Sequence, residues 1–113
     1  MVLVLALTLL ALDRCLQPSH FERGEAVIDQ FYVAYEVENI PKEEIARAIR
    51  EYEASISSGE GEPKAYERLV WIYCLTGDRK SAADWMNRAN GKVPAPVMAD
   101  IERTIRTYDE TKS

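Results

Sequence analysis

His20, Cys15 and Cys74 carry the most reactive side chains of this 113-residue chain, and none has an activating partner near it in sequence. Nucleophilic and acid–base catalysis both need a second group within hydrogen-bonding reach of the first. His20 lies inside a helix-start signature, and Cys74 has no histidine near it in sequence and reads as apolar lining. Glu43-Glu44 opens a helix, where paired carboxylates favour the positive end of the dipole rather than forming an acid–base dyad. The Glu60/Glu62 loop has too few carboxylates to hold calcium. Ser19 and Ser81 stand where helix caps stand. One histidine and two cysteines cannot make a four-ligand zinc site. The sequence therefore predicts no catalytic residue, no metal and no cofactor. Whether Cys15 and Cys74 form a disulfide or remain two thiols is open at this stage.

With chemistry set aside, binding remains. The length suits one domain with a modest core. A net charge of -5, with no basic run longer than Arg79-Lys80, argues against nucleic acid. Small-molecule substrates are not expected either.

The residues that carry the elements follow in order. Residues 2–12, VLVLALTLLAL, are apolar apart from Thr8. As a helix they would reach only about 18 Å, against roughly 30 Å of bilayer hydrocarbon. Three accounts stay open: a membrane anchor, a helix covered by the domain or a partner, and a cleaved targeting segment. The division is thus residues 1–17 as an apolar N-terminal helix and residues 19–113 as a helical domain. Ser19-His20-Phe21-Glu22 reads as a capping box. The spacing predicts a helix from there to about Glu38, with Val27, Ile28, Phe31, Tyr32, Ala34 and Tyr35 recurring at three- and four-residue steps. After Pro41 a second helix repeats Ile45, Ala48, Ile49, Tyr52 and Ile56. The loop Ser57–Pro63 separates it from a helix over about Lys64–Thr76, stopped by Gly77. Asp78 caps a further helix ending near Asn90-Gly91, and a last helix is predicted over about Val97–Tyr108. The fold class expected is all-α.

Within this pattern, Tyr66, Leu69, Val70, Tyr73, Gly77, Ala82, Met86, Ala89 and Pro94 have the spacing of one tetratricopeptide repeat, which the stretch 63–96 resembles. Val70 departs from the glycine or alanine usual at its position, and Met86 from the usual aromatic. Ala48, Tyr52 and Ser55 precede Ala82, Met86 and Ala89 by thirty-four residues, the period of that family. A degenerate upstream copy over about 25–58 follows if Ile28, Phe31, Tyr32 and Tyr35 are matched to Tyr66, Leu69, Val70 and Tyr73, with about four extra turn residues. The resemblance implies a short solenoid of antiparallel helical hairpins with the last helix as a cap.

It also implies a site. Family members bind along the concave surface lined by the first helix of each repeat, which here would present Lys64, Glu67, Trp71, Cys74 and Leu75. Trp71 and Leu75 suit an apolar segment or one face of a partner helix better than a terminal carboxylate. The alternative for Trp71 is packing against a neighbouring helix. Trp85 is expected between repeats, with an indole N–H that wants a partner. The function implied is a protein-binding scaffold or adaptor, a small subunit or assembly factor of a membrane-associated complex. The alternative is a cytoplasmic chaperone similar to the small helical chaperones of type III secretion needle subunits, its N-terminal helix covered by the partner.

Overall fold

The computed structural model describes residues 17–33, 36–37 and 39–111. Residues 1–16, which include the apolar run and Cys15, lie outside the described residues. The fold is all-helical. Five helices are described: α1 (His20–Asp29), α2 (Lys42–Ser57), α3 (Lys64–Leu75), α4 (Arg79–Ala89) and α5 (Ala95–Thr111). Between α1 and α2 the chain makes one minimal antiparallel ladder, β1 (Tyr32–Val33) with β2 (Glu36–Val37), pairing Tyr32 with Val37 and Val33 with Glu36.

That ladder corrects the first helix. It ends at Asp29, not near Glu38. The following stretch, FYVAYEV, is dense in aromatic and β-branched residues, which lose side-chain freedom in a helix and suit an extended backbone. Phe31 and Tyr32 therefore fall beyond the helix, and Tyr35 lies outside the described residues. The last helix also begins earlier than expected, at Ala95. Pro96 sits in its first turn, where no backbone N–H is needed, and the Pro94 carbonyl accepts from Met98.

The remaining helices follow local rules. The Asp78 carboxylate accepts from the Ser81 N–H and opens α4. Gly77, at φ +83°, closes α3: its N–H reaches the Cys74 carbonyl at 3.1 Å, and the Asp78 N–H reaches that of Tyr73 at 2.8 Å. This paired 5→2 and 6→1 closure needs a left-handed residue, which glycine supplies without strain.

α3 is the central element because it feeds two cores. Its Ala65, Leu69 and Ile72 join Val27 and Ile28 of α1 and Ala48 and Tyr52 of α2. Its Val70 and Cys74 join Ala82 and Ala89 of α4 and Ile101 of α5. Ala48, Ala82 and Ala89 are completely or almost completely buried, as the spacing of small residues requires for helices in close approach. α5 packs chiefly on α3 and less on α4. Each fully buried aliphatic side chain in these cores is worth about 1.5–3 kcal/mol relative to exposure.

The α1–α2 pair closes on Gly24. A methyl group there would lie 2.8 Å from the Tyr52 ring, so the ring packs directly on the α1 backbone. The small residue opposite Tyr52 is thus Gly24. The Tyr52 hydroxyl donates to Glu25 Oε1 at 2.8 Å, and Arg68 Nε donates to the same oxygen at 2.6 Å. Burial first, and the Glu25 carboxylate second, push the Tyr52 phenol far above its ordinary value, so it stays a neutral donor. One carboxylate therefore ties α1, α2 and α3 together.

The capping box is half as expected. Ser19 accepts from the Glu22 N–H, but Glu60, forty residues away, accepts from the backbone N–H groups of His20 (2.8 Å) and Phe21 (3.2 Å). Although burial opposes it, these hydrogen bonds hold the Glu60 carboxyl below its usual value. His20 Nδ1 lies 3.0 Å from Glu51 Oε2 of α2. The histidine is bound into a helix start.

Candidate functional site

The five residues expected to line a partner surface separate into two faces of α3. Lys64, Glu67, Trp71 and Leu75 recur at three- and four-residue steps and share one stripe. Lys64 and Leu75 are exposed at its two ends, and Glu67 and Trp71 are half-buried in the middle. Cys74 does not belong with them. It lies one turn after Val70 and shares that residue's face, so α4 and α5 bury it to 3% exposure. Burial pushes its thiol above the ordinary value against the opposing charge of Arg79. It is an unpaired thiol packed as a small apolar group.

α5 supplies the opposite wall. A cleft of about 300 Å³ runs between α3 and α5, lined by Glu67 and Trp71 on one side and by Asp100, Arg103, Thr104 and Tyr108 on the other. Sequence reading missed the α5 wall because it treated that helix only as a cap. The i, i+4 spacing of Asp100, Thr104 and Tyr108 was the signal available. Burial raises the Glu67 carboxyl above its usual value. The Arg68 guanidinium opposes this, 3.7 Å away, while the Asp100 charge adds to it. Asp100 is itself paired with Arg103 at 3.0 Å. The cleft is therefore partly aromatic, and its two carboxylates each have an arginine partner. Glu67 is the more weakly neutralised, because it is the more buried and the more distant from its arginine. It offers van der Waals contact and hydrogen-bond acceptors.

A second groove lies on another side of α3. α2 and α4 flank it, and Tyr66 of α3 contributes to its lining; its volume is about 920 Å³. Trp85 packs there edge-on to Tyr66, with ring centres 6.1 Å apart. The Arg88 guanidinium lies 4.6 Å from the centre of the Trp85 ring. Trp85 packs against both cores.

No family model, curated protein or solved structure matches the chain. Among the described residues no group of three or more His, Cys, Asp or Glu side chains could hold a metal ion. No described helix is long and apolar enough to cross a membrane.

Proposed function

We propose that this chain is a protein-binding adaptor whose α3/α5 cleft receives one face of a partner helix or an apolar peptide segment. The observation that carries the reading is the cleft itself: Trp71 and Tyr108 from two helices flank an acidic edge made by Glu67 and Asp100. An amphipathic segment with one apolar anchor and an adjoining Lys or Arg fits that combination, since a cation would relieve the cost of keeping Glu67 ionised.

The tetratricopeptide-like reading is supported by two features. In this reading α1 and α3 are the first helices of two units and α5 packs on α3 as the cap, so the cleft falls on the side where that family takes its ligands. Gly24 under Tyr52 also gives the α1–α2 pair the small–aromatic combination that Val70 and Met86 replace in the α3–α4 pair. The register implied has a much longer turn between α1 and α2 than between α3 and α4, occupied in part by the β1–β2 ladder.

Capture by the wild-type chain and by Trp71→Ala, read by mass spectrometry and circular dichroism, tests the assignment. The expected result is loss of the captured protein with helicity kept. Equal capture by both chains contradicts it. The same proposal places residues 2–12 at a membrane beside the complex. Removal of residues 1–14 should then release the chain from membranes while the cleft still binds. Loss of binding with that deletion favours the chaperone-like alternative.

A further inference from the structure

The α2/α4 groove is larger than the cleft, lies on a different side of α3 and has no part in the reading above. Its charge is unlike that of the molecule. Arg50, Arg88 and Lys92 oppose only Glu53 and Asp84 along it, in a chain whose net charge is -5. Among the described residues none of these five side chains makes an ion pair. Tyr66, Trp85 and Ile56 supply apolar surface between them. Arg88 stacks on Trp85, which holds a planar guanidinium beside that surface with its N–H fork available for a carboxylate. Lys92 follows Arg88 by four residues, so two cations gather toward the C-terminal end of α4. Glu53 of α2 and Asp84 of α4 line the same groove, so the cations outnumber the carboxylates there by one.

We infer that the α2/α4 groove binds a second protein segment, an acidic–apolar peptide. One aromatic or aliphatic side chain rests against Tyr66 and Trp85, and neighbouring carboxylates pair with Arg88, Lys92 and Arg50. Charge complementarity selects this occupant: three unpaired cations against two carboxylates leave the groove net positive in a net acidic chain. Arg88 and Lys92 beside an aromatic surface match an acidic segment better than a basic one. With the α3/α5 cleft suited to a segment carrying a basic residue, the two sites give one small chain opposite preferences on two sides.

Selection from a random peptide library displayed on phage, against the full chain and against Arg88→Glu and Arg50→Glu, tests this. Both arginines are exposed, so the folds should survive, and the two substitutions sit on different helices. The expected result is enrichment of peptides with Asp or Glu beside an aromatic or aliphatic residue. Each substitution should weaken their binding about tenfold or more, and Trp71→Ala should leave it unchanged. Enrichment of neutral or basic peptides, or acidic ones indifferent to both substitutions, overturns the assignment. Enrichment only after residues 1–14 are removed would assign the groove to the chain's own apolar segment. Concentration-dependent dimerisation abolished by Arg88→Glu would assign it to a second copy. Either result also overturns the proposal.

Discussion

A methyl group at Gly24 would meet a ring that has no room to leave, since Tyr52 is fully buried and held through its hydroxyl by Glu25. Gly24→Ala should therefore lower stability by about 1–3 kcal/mol in denaturant unfolding, although alanine is the better helix former at an open site. A neutral or stabilising result would show that Tyr52 shifts freely. At Ala82 the same overpacking applies, because the residue is 1% exposed between α3 and α4. Ala82→Leu should cost about 1–3 kcal/mol by the same measurement. Such small residues differ in how far they could be read ahead. Ala48 and Ala82 announce themselves by repeating at thirty-four residues. Gly24 does not, because its partner Tyr52 is distant in sequence and the turn between them has no standard length. Cys74 was misplaced for a related reason. Its face depended on where α5 packs, and neither neighbour in sequence reports that.

At the scale of elements, α1 is a ten-residue helix too short to hold itself in water, and its start is secured from outside. Glu60 accepts two of its free N–H groups, which an isolated capping box cannot foretell because the acceptor is forty residues away. The carboxyl is held below its ordinary value of 4.5 in the folded chain, so its contribution is present above pH 4.5 and is lost as pH falls through the lower folded value. Glu60→Gln should therefore be less stable than wild type at neutral pH, with the gap narrowing below about pH 4.5 in paired thermal melts. A gap that stays constant across that range would contradict the role. The early end of α1 was likewise hidden. The periodicity of Phe31, Tyr32 and Tyr35 satisfies a helix, yet the local preference of FYVAYEV for extended backbone prevails in the β1–β2 ladder. α2, α3 and α4 were legible because the apolar period agrees with the flanking signals in each: Pro41 before α2, Pro63 and Gly77 around α3, and the Asp78 cap of α4.

At the scale of the whole molecule, α3 is the member that joins the two cores. It shares one face with α1 and α2 and another with α4 and α5. Glu25 adds a polar tie to the first of these through Tyr52 and Arg68. A double-mutant cycle of Glu25→Gln with Arg68→Met should show a coupling of about 0.5–3 kcal/mol, modest because both side chains keep partial solvent contact. Coupling near zero would mean that the Glu25–Arg68 pair adds nothing to the joining of α1 and α3. With α3 so enclosed, the stripe of Lys64, Glu67, Trp71 and Leu75 is the part of its surface on which the proposed docking of a partner depends.

The most direct measurement puts a photo-crosslinking p-benzoylphenylalanine in place of Trp71 in the full chain, in its native cells, with the same probe at exposed Lys80 as reference. The adaptor account predicts a discrete protein adduct from position 71 that is absent from position 80. Position 71 giving no adduct, or the same adducts as position 80, would contradict it.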